Sequence, residues 1–419
     1  ADKDGHVLEY INGTWQFDPG DINGIDDDGN GYIDDFIGWN FYPNDGTPVN
    51  DPMGSSQNTH GTHCAGISAG VTNNANGIAS VSWNLKFMAT KHASNASGNA
   101  IYNGFDGIVY LAENGADVIN CSWGGSGYSQ TGQLAINYAT SLGAIVVAAA
   151  GNNNSSAPFY PAAYQNIVSV ASVAVNDKKA YYSNYGYTVD VSAPGGDAYV
   201  DGGILSTVPN NGYAKYQGTS MAAPQVTGLI GFVKSYLPNK SNDAIIRRVI
   251  GNVDNIESLN PNYPGMLGTG RINAYKALLN DFTGKFPLKI VFNSVIHKKT
   301  NNIYELSYNI FNYSEDGANS VKITLSSSDP KINIINPIGY TSVAPNGPTN
   351  TGYINSFSIT QNANSFATLH IHLDGIDNQI QAGTDFDFQI YCGQNGILVY
   401  EKYNNGPTSS GTFINNYLT

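Results

Sequence analysis

Gly218-Thr219-Ser220-Met221-Ala222-Ala223-Pro224 opens a mostly apolar run that continues to Leu237 and reads as a helix buried against a core. Gly218 and Thr219 let the chain turn sharply into that helix. The Ser220 hydroxyl is thereby set at a helix N-terminus, where the macrodipole and the unpaired N–H groups favour developing negative charge. A serine hydroxyl is a poor nucleophile until a neighbouring imidazole takes its proton. The chain supplies a candidate base in His60-Gly61-Thr62-His63-Cys64-Ala65-Gly66.

Working outward from Ser220, short apolar runs alternate with helical patterns between Lys86 and Val208. Leu85 to Lys91, Val118 to Ser122, Ile145 to Ala150 and Ile167 to Val173 are nearly continuous in β-branched or small residues, as in strands buried on both faces of a parallel sheet. Ala100 to Asn114 and Tyr128 to Leu142 have helical spacing and stop at Gly115 and Gly143. The alternation predicts an α/β, doubly wound, mostly parallel sheet, with ligands at the carboxyl ends of its strands. Asn152 and Ser122 stand at two such ends.

The texture changes after a last helix near Asn280. Lys289 to Val295, Tyr304 to Asn312, Ser320 to Ser326, Tyr353 to Ile359, Ser365 to Leu373 and Phe386 to Tyr391 are alternating or aromatic runs separated by turns such as Ser328-Asp329-Pro330. These predict an all-β sandwich over residues 284–419, behind an α/β domain over residues 1–283, with the boundary near Phe282 to Lys285.

A formal charge of −13 argues against nucleic-acid binding, which calls for a basic face. Only 12% of the residues are charged, and no apolar run approaches the roughly 20 residues that span a bilayer. This composition suits a protein outside the cell or at its surface. The chain starts at Ala1 with no secretory signal, so a processed product is expected. Cys64, Cys121 and Cys392 cannot build a disulfide framework, and the first two read as small buried side chains.

Three segments together resemble the signatures of the subtilisin-like serine peptidases, the subtilases. They are His60-Gly61-Thr62-His63, Val146-Val147-Ala148-Ala149-Ala150-Gly151-Asn152, and the Ser220 segment, in that order. The resemblance runs from about Trp15 to Leu279. It implies that His60 is the general base and Ser220 the nucleophile of an acyl-enzyme reaction on a polypeptide substrate. It also implies that the Asn152 side chain joins the Ser220 N–H in stabilising the oxyanion, while His63 packs structurally. Ser122, Trp123, Gly124 and Gly125 resemble the family's segment that pairs with an extended substrate as an added strand. Tyr160-Pro161 resembles a turn in which the family often has a cis bond. Phe159 stands close to where the family has the floor of its primary pocket, and a large ring there favours small or medium side chains before the scissile bond; it equally suits a core position.

Upstream lies Asp26-Asp27-Asp28-Gly29-Asn30-Gly31-Tyr32-Ile33-Asp34-Asp35. Oxygen ligands at alternating positions and a Gly at the sixth imitate the start of a calcium loop, although Ile37 stands where the usual twelfth-position Glu would be. Asp26, Asp28, Asn30, the Tyr32 carbonyl and Asp35 are the expected ligands of a Ca2+ ion, with Asp34 as an alternative to Asp35. Without a cation the five carboxylates of this stretch repel one another, and the competing reading is a solvated acidic turn. Many subtilases carry a similar loop before their histidine motif.

The family's aspartate ends an apolar strand in a pattern like Val-Ile-Asp-Thr-Gly, ahead of such a loop. Here neither Asp2 nor Asp4 follows an apolar run, and neither is assigned. Three explanations stand: an upstream fragment of the same precursor bound as a separate chain, a sequence that begins late, or a degenerate protein that binds peptides without cleaving them. The expectation is the first. A further reading makes the sandwich itself a surface or carbohydrate binder, with Tyr391, Tyr400 and Tyr403 as an aromatic platform.

Overall fold

The computed structural model describes residues 8–11, 14–17, 21–42, 51–52, 58–94, 100–186, 188–279, 288–300, 303–312, 318–344, 347–359, 365–375, 383–393 and 396–399. Asp2, Asp4, the 282–285 boundary, Tyr400 and Tyr403 lie outside them.

In chain order, a hairpin of β1 (Leu8–Ile11) and β2 (Thr14–Phe17) is followed by β3 (Gly38–Asn40), α1 (His60–Ala69), β4 (Ala89–Lys91), α2 (Gly104–Glu113), β5 (Val118–Cys121), α3 (Gln130–Ser141), β6 (Ile145–Ala149), β7 (Ile167–Val173) and β8 (Val191–Pro194). A second hairpin, β9 (Ile204–Val208) and β10 (Gly212–Tyr216), precedes α4 (Thr219–Tyr236), α5 (Asn242–Gly251), β11 (Val253–Asp254), β12 (Arg271–Ile272) and α6 (Ala274–Leu279). The main sheet has the order β11-β12-β8-β7-β6-β5, parallel from β5 to β12. β3 and β4 form a separate parallel pair.

Strand β6 shows why the sheet is apolar throughout. Ile145, Val147 and Ala149 pack toward Ala223, Val226 and Ile230 of α4, whereas Val146 and Ala148 face Ile108 of α2 and Ile136 of α3. All five residues are buried, as a strand covered on both faces requires. Helix α4 is buried nearly all round, which is why its sequence lacks a polar stripe.

The helices stop where their glycines predict, at Gly115 (φ +77°) and Gly143 (φ +97°), both in the left-handed region. Two starts are later than their apolar pattern suggests. Asn103 takes φ +53° and donates its side chain to the Phe41 carbonyl, so α2 begins at Gly104. Ser129 caps α3 by accepting from the Gly132 N–H (3.2 Å). Only Ala89–Lys91 of the expected Leu85 to Lys91 strand pairs; Leu85 instead packs over Gly231 of α4. The β9–β10 hairpin lacks alternating apolar character, but Asn210 and Asn211, both left-handed, mark its turn. The Tyr160-Pro161 bond is cis, as expected.

Beyond α6 the described strands are antiparallel: β13 (Leu288–Thr300), β14 (Ile303–Asn312), β15 (Ala318–Ser326), β16 (Ile332–Asn336), β17 (Ile338–Val343), β18 (Gly347–Ile359), β19 (Ser365–Gly375), β20 (Gly383–Gly393) and β21 (Gly396–Val399). They form sheets of order β13-β14-β18-β16 and β17-β15-β19-β20-β21. One buried cluster draws on alternate residues of both, among them Leu306, Tyr308 and Ile310 from the first and Ile323, Leu325, Leu369 and Ile371 from the second.

Helix α1 meets β9 through close backbone approach at Gly66. The Ser206 hydroxyl donates to the His63 carbonyl (2.7 Å) and that of Thr207 to the Thr62 carbonyl (3.0 Å). A methyl group at Gly66 would lie 2.2 Å from Thr207 Oγ1 and 2.4 Å from Ser206 Oγ. Gly66→Ala is therefore expected to destabilise the protein by about 1–3 kcal/mol, read as a lower urea midpoint at unchanged m-value.

Candidate active site

The candidate residues come from four different elements. His60 is the first residue of α1, Ser122 to Gly125 follow β5, Asn152 follows β6, and Ser220 is the second residue of α4. What gathers them is the carbonyl of Ser220. Pro224 has no N–H to offer the carbonyl four residues before it, so that oxygen is open to other donors. The Ser122 hydroxyl reaches it at 2.9 Å and the Cys64 thiol at 3.3 Å. The same sulfur lies 4.0 Å from His60 Nδ1, linking α1 to α4 at the candidate base and nucleophile. Ser122 is held in turn by the Asn120 amide (2.9 Å), whose oxygen accepts from Thr227 of α4 (3.0 Å).

Cys64 is a donor here and not a nucleophile, because burial pushes its thiol up to about 12. The Ser220 hydroxyl itself donates to the Ser122 carbonyl (3.2 Å). His60 opens to solvent, yet the protein around it disfavours the charged ring, and His63 nearby adds to this, so its pKa lies below that of an ordinary imidazole. Among the described residues no carboxylate lies within hydrogen-bond reach of His60. His63 is fully buried and stacked on Tyr216, with Nε2 between the carbonyls of Ile204 (3.1 Å) and Ala214 (3.0 Å). It packs as the sequence suggests.

The orientation of Asn152 follows from its partners. Its Oδ1 accepts from the Thr219 N–H and the Thr219 hydroxyl, both at 2.9 Å. A backbone N–H can only donate, so the amide cannot be reversed. Its NH2 end points away from Thr219 and donates to no acceptor among the described residues. The Thr219 hydroxyl also accepts from the Gly151 N–H (3.1 Å). In the sequence Thr219 reads only as part of the turn, yet its side chain sets the amide.

A cleft of about 1000 Å³ is lined by His60, Ser122, Trp123, Gly124 and Gly125 together with Ile101, Asn103 and Gly104. Gly125 pairs inward with Tyr160 through two backbone hydrogen bonds (2.8 and 2.7 Å). Successive residues of an extended chain present their polar groups to opposite sides, so those of Gly124 face outward. Phe159 is wedged between two backbones. A Cβ at Gly124 would lie 2.4 Å from Phe159 Cε1, and one at Gly151 would lie 2.9 Å from its Cγ. The ring thus fills the slot between the Gly124 and Gly151 segments.

The acidic loop lies against α2. Asp26 accepts from the N–H groups of Gly29, Asn30 and Gly31, the last of which contributes most to holding its carboxyl below the usual range. The Asp28 carboxylate accepts from the Asn30 N–H. Tyr32 donates its N–H to Asn30 Oδ1 (2.8 Å) and packs its ring on Trp39 and Tyr110. Three oxygens surround Asn30 Nδ2: Asp28 Oδ2 (3.3 Å), Asp35 Oδ2 (3.0 Å) and Asn114 Oδ1 (3.1 Å). An amide nitrogen has only two hydrogens for these three acceptors. Asn114, at the C-terminal end of α2, brings to the loop an acceptor oxygen that the sequence does not point to. Asp26, Asp28, Asp35 and Asn114 offer oxygens, as a hard cation requires, but Asn30 presents its Nδ2 to the last three because its Oδ1 is taken by the Tyr32 N–H. Among the described residues, however, no three acidic, histidine or cysteine side chains are grouped as a metal cage, so amide and carbonyl oxygens would have to complete one.

Among the described residues no helix is long and apolar enough to cross a membrane. A sequence model of the subtilase family matches residues 23–270. Thermitase from Thermoactinomyces vulgaris is 43% identical over 241 residues, 58% of this chain and 80% of thermitase. A thermophilic serine proteinase from a Bacillus species is 40% identical over 241 residues, 58% of this chain and 56% of that protein. A solved protease from Pseudoalteromonas arctica gives a TM-score of 0.48 at 38% identity, covering 53% of this chain and 70% of that one. With the family's signature matched over more than half of its length, the chain belongs to the subtilases, the subtilisin-like serine peptidases.

Proposed function

We propose that the chain is the larger part of a secreted serine endopeptidase that cleaves polypeptides through an acyl-enzyme on Ser220. The observation that carries this reading is the Asn152 amide, which Thr219 turns so that its NH2 is left for an oxyanion. In the reaction Ser220 Oγ attacks the scissile carbonyl while His60 takes the hydroxyl proton. The negative oxygen is stabilised by the Asn152 NH2 and the Ser220 N–H, which in the first turn of α4 has no intrahelical acceptor. His60 then returns the proton to the leaving amine, and water releases the acyl group by the same path reversed. The Ser220 hydroxyl must first turn from the Ser122 carbonyl toward His60.

The carboxylate that orients His60 is supplied, on this reading, by an apolar strand of an upstream segment. Two sheet edges support it: among the described strands β4 pairs only with β3, and β5 only with β6. A parallel strand between them would gain a ladder on each side and bury its side chains. The second reading is a peptide-binding subtilase fold without turnover, favoured by the Ser220–Ser122 hydrogen bond and the absence of a described carboxylate beside His60. Losing that carboxylate typically lowers turnover about 10⁴-fold and leaves binding in place. A fluorophosphonate probe and intact-mass analysis separate the two. Labelling at Ser220, with an aspartate-bearing segment present in the purified protein, is expected; an unlabelled Ser220 and no such segment would sink the peptidase reading. The pH profile gives a second measure, since only neutral His60 can accept a proton. The surrounding protein and His63 pull its pKa down, whereas a carboxylate partner raises it. An acid limb of kcat/KM at or above about 6.5 reports the carboxylate, and one well below reports its absence.

On this reading Phe159 is the floor of the primary pocket, so the favoured residue before the scissile bond is small or medium. Phe159→Gly is expected to shift preference from alanine toward phenylalanine at that position by at least about tenfold in kcat/KM, the scale of a few methylenes in an apolar pocket. An unchanged preference would assign the ring to the core.

We further propose that the acidic loop holds one Ca2+ through Asp26, Asp28, Asn30, the Tyr32 carbonyl and Asp35, as a stabilising ion remote from the chemistry. Its support is the surplus of oxygens gathered around Asn30 Nδ2, and binding requires the Asn30 amide to turn its oxygen from the Tyr32 N–H toward the ion. Chelation is expected to lower stability by about 3 kcal/mol relative to calcium at 100 times its dissociation constant. Asp28→Asn should remove that dependence; equal stability with and without calcium would leave a solvated turn. The antiparallel sheets from β13 onward we read as a β-sandwich domain over residues 284–419, held beside the peptidase domain of residues 1–283 outside the cell or at its surface.

A further inference from the structure

Residues 150–155 carry the candidate oxyanion amide without belonging to any helix or strand, so something else must fix them. One side is fixed by Thr219. Apart from the Ala150 N–H, which donates to the Val170 carbonyl (2.9 Å), the other is fixed by one neighbouring segment, residues 179–185, and chiefly by two of its side chains. Asn184 is buried and spends its whole amide on this stretch. Its Oδ1 accepts from the N–H groups of Asn153 (2.8 Å) and Ser155 (3.1 Å), and its Nδ2 donates to the Ala150 carbonyl (2.9 Å). Its backbone N–H donates to the Gly151 carbonyl (2.9 Å). These bonds bracket Asn152 on both sides.

Lys179 supplies the second hold. Its ammonium donates to Asn154 Oδ1 (2.8 Å) and to the carbonyls of Ala180 (3.0 Å) and Ser183 (3.1 Å). It also lies 5.5 and 5.0 Å from the ring centres of Tyr185 and Tyr263, within cation–π range. Asn154, in the left-handed region at φ +49°, donates its own N–H to the Tyr182 carbonyl (2.7 Å). The lysine therefore ties the tip of the stretch to the same segment that Asn184 ties at its base.

We propose that Asn184 and Lys179 are positioning residues for the reaction: they fix the backbone on both sides of Asn152, so that its NH2 meets the oxyanion without reorganising. Neither touches the substrate. The inference rests on the peptidase reading above and adds to it the part of the fold that aims the amide. Displacing a catalytic group by about 1 Å can cost roughly 10²-fold in rate, which is the scale at stake.

The test uses the full-length protein, with every rate expressed per active site titrated by a fluorophosphonate. Asn184→Ala is expected to lower kcat by at least about tenfold, with KM within about twofold, and Lys179→Met by a smaller factor. Lys179→Arg, which keeps a cation and its donors, should recover most of the loss. A peptide aldehyde, whose adduct carries the oxyanion, should bind Asn184→Ala and Lys179→Met more weakly in proportion to kcat/KM. A non-covalent product peptide should bind them as it binds the parent. A purely structural role would lower the fraction of titratable sites and leave kcat per site and the aldehyde-to-product ratio unchanged, which overturns the proposal. Lys179 sits at the edge of the core, so its variant remains informative if Asn184→Ala does not fold. If the parent protein is not labelled at Ser220, the peptidase reading fails and this proposal with it. If the parent is labelled and the variants match it, only the positioning role fails.

Discussion

The carbonyl of Ser220 has no helical partner, because Pro224 stands four residues later without an N–H. Within a helix this would ordinarily be a loss. Here the oxygen becomes the point at which α1, the end of β5 and α4 are joined, through Cys64 and Ser122. A buried carbonyl left without a donor costs about 1–3 kcal/mol, so both donors are constrained to stay. Burial keeps the Cys64 thiol protonated and able to donate. The same hydrogen bonds that satisfy the backbone thereby set the spacing between candidate nucleophile, base and substrate segment.

These bonds act on rigid supports. Helix α4 is packed on the face of a sheet whose strands are buried on both sides, and the opposite face carries α2 and α3. The strands end together, and the segments leaving them carry Ser122 and Asn152. The irregular segment after β6 is then fixed from two directions, by Thr219 at the start of α4 and by residues 179–185. A loop so held has the positional accuracy of a regular element, and oxyanion stabilisation depends on that accuracy more than on the number of donors.

Much of this was legible in the chain. The apolar runs, the stopping glycines and the three motifs give the sheet, its helices and the residues at its carboxyl ends, because burial on both faces and left-handed helix ends leave few alternatives. What escaped reading depends on contacts between segments far apart in sequence. Thr219, Cys64 and Asn114 are unremarkable in composition, and their roles come from what lies across a gap of 50 residues or more. The β9–β10 hairpin escaped because its residues are only half buried and show no clean alternation. Leu85 reads as a strand residue but packs on α4, because an apolar run does not distinguish the two. Phe159 was open between core and pocket, and only the two flanking glycine backbones locate its ring.

The most direct measurement is a crystal structure of the full-length protein reacted with a peptide aldehyde. The expected result is a covalent bond from Ser220 Oγ to the aldehyde carbon, with the resulting oxygen within hydrogen-bond distance of Asn152 Nδ2 and the Ser220 N–H. An apolar strand should lie between β4 and β5, ending in a carboxylate on His60 Nδ1. A peptide bound in the cleft without a bond to Ser220, whose hydroxyl still donates to the Ser122 carbonyl, with no strand between β4 and β5, would contradict the account.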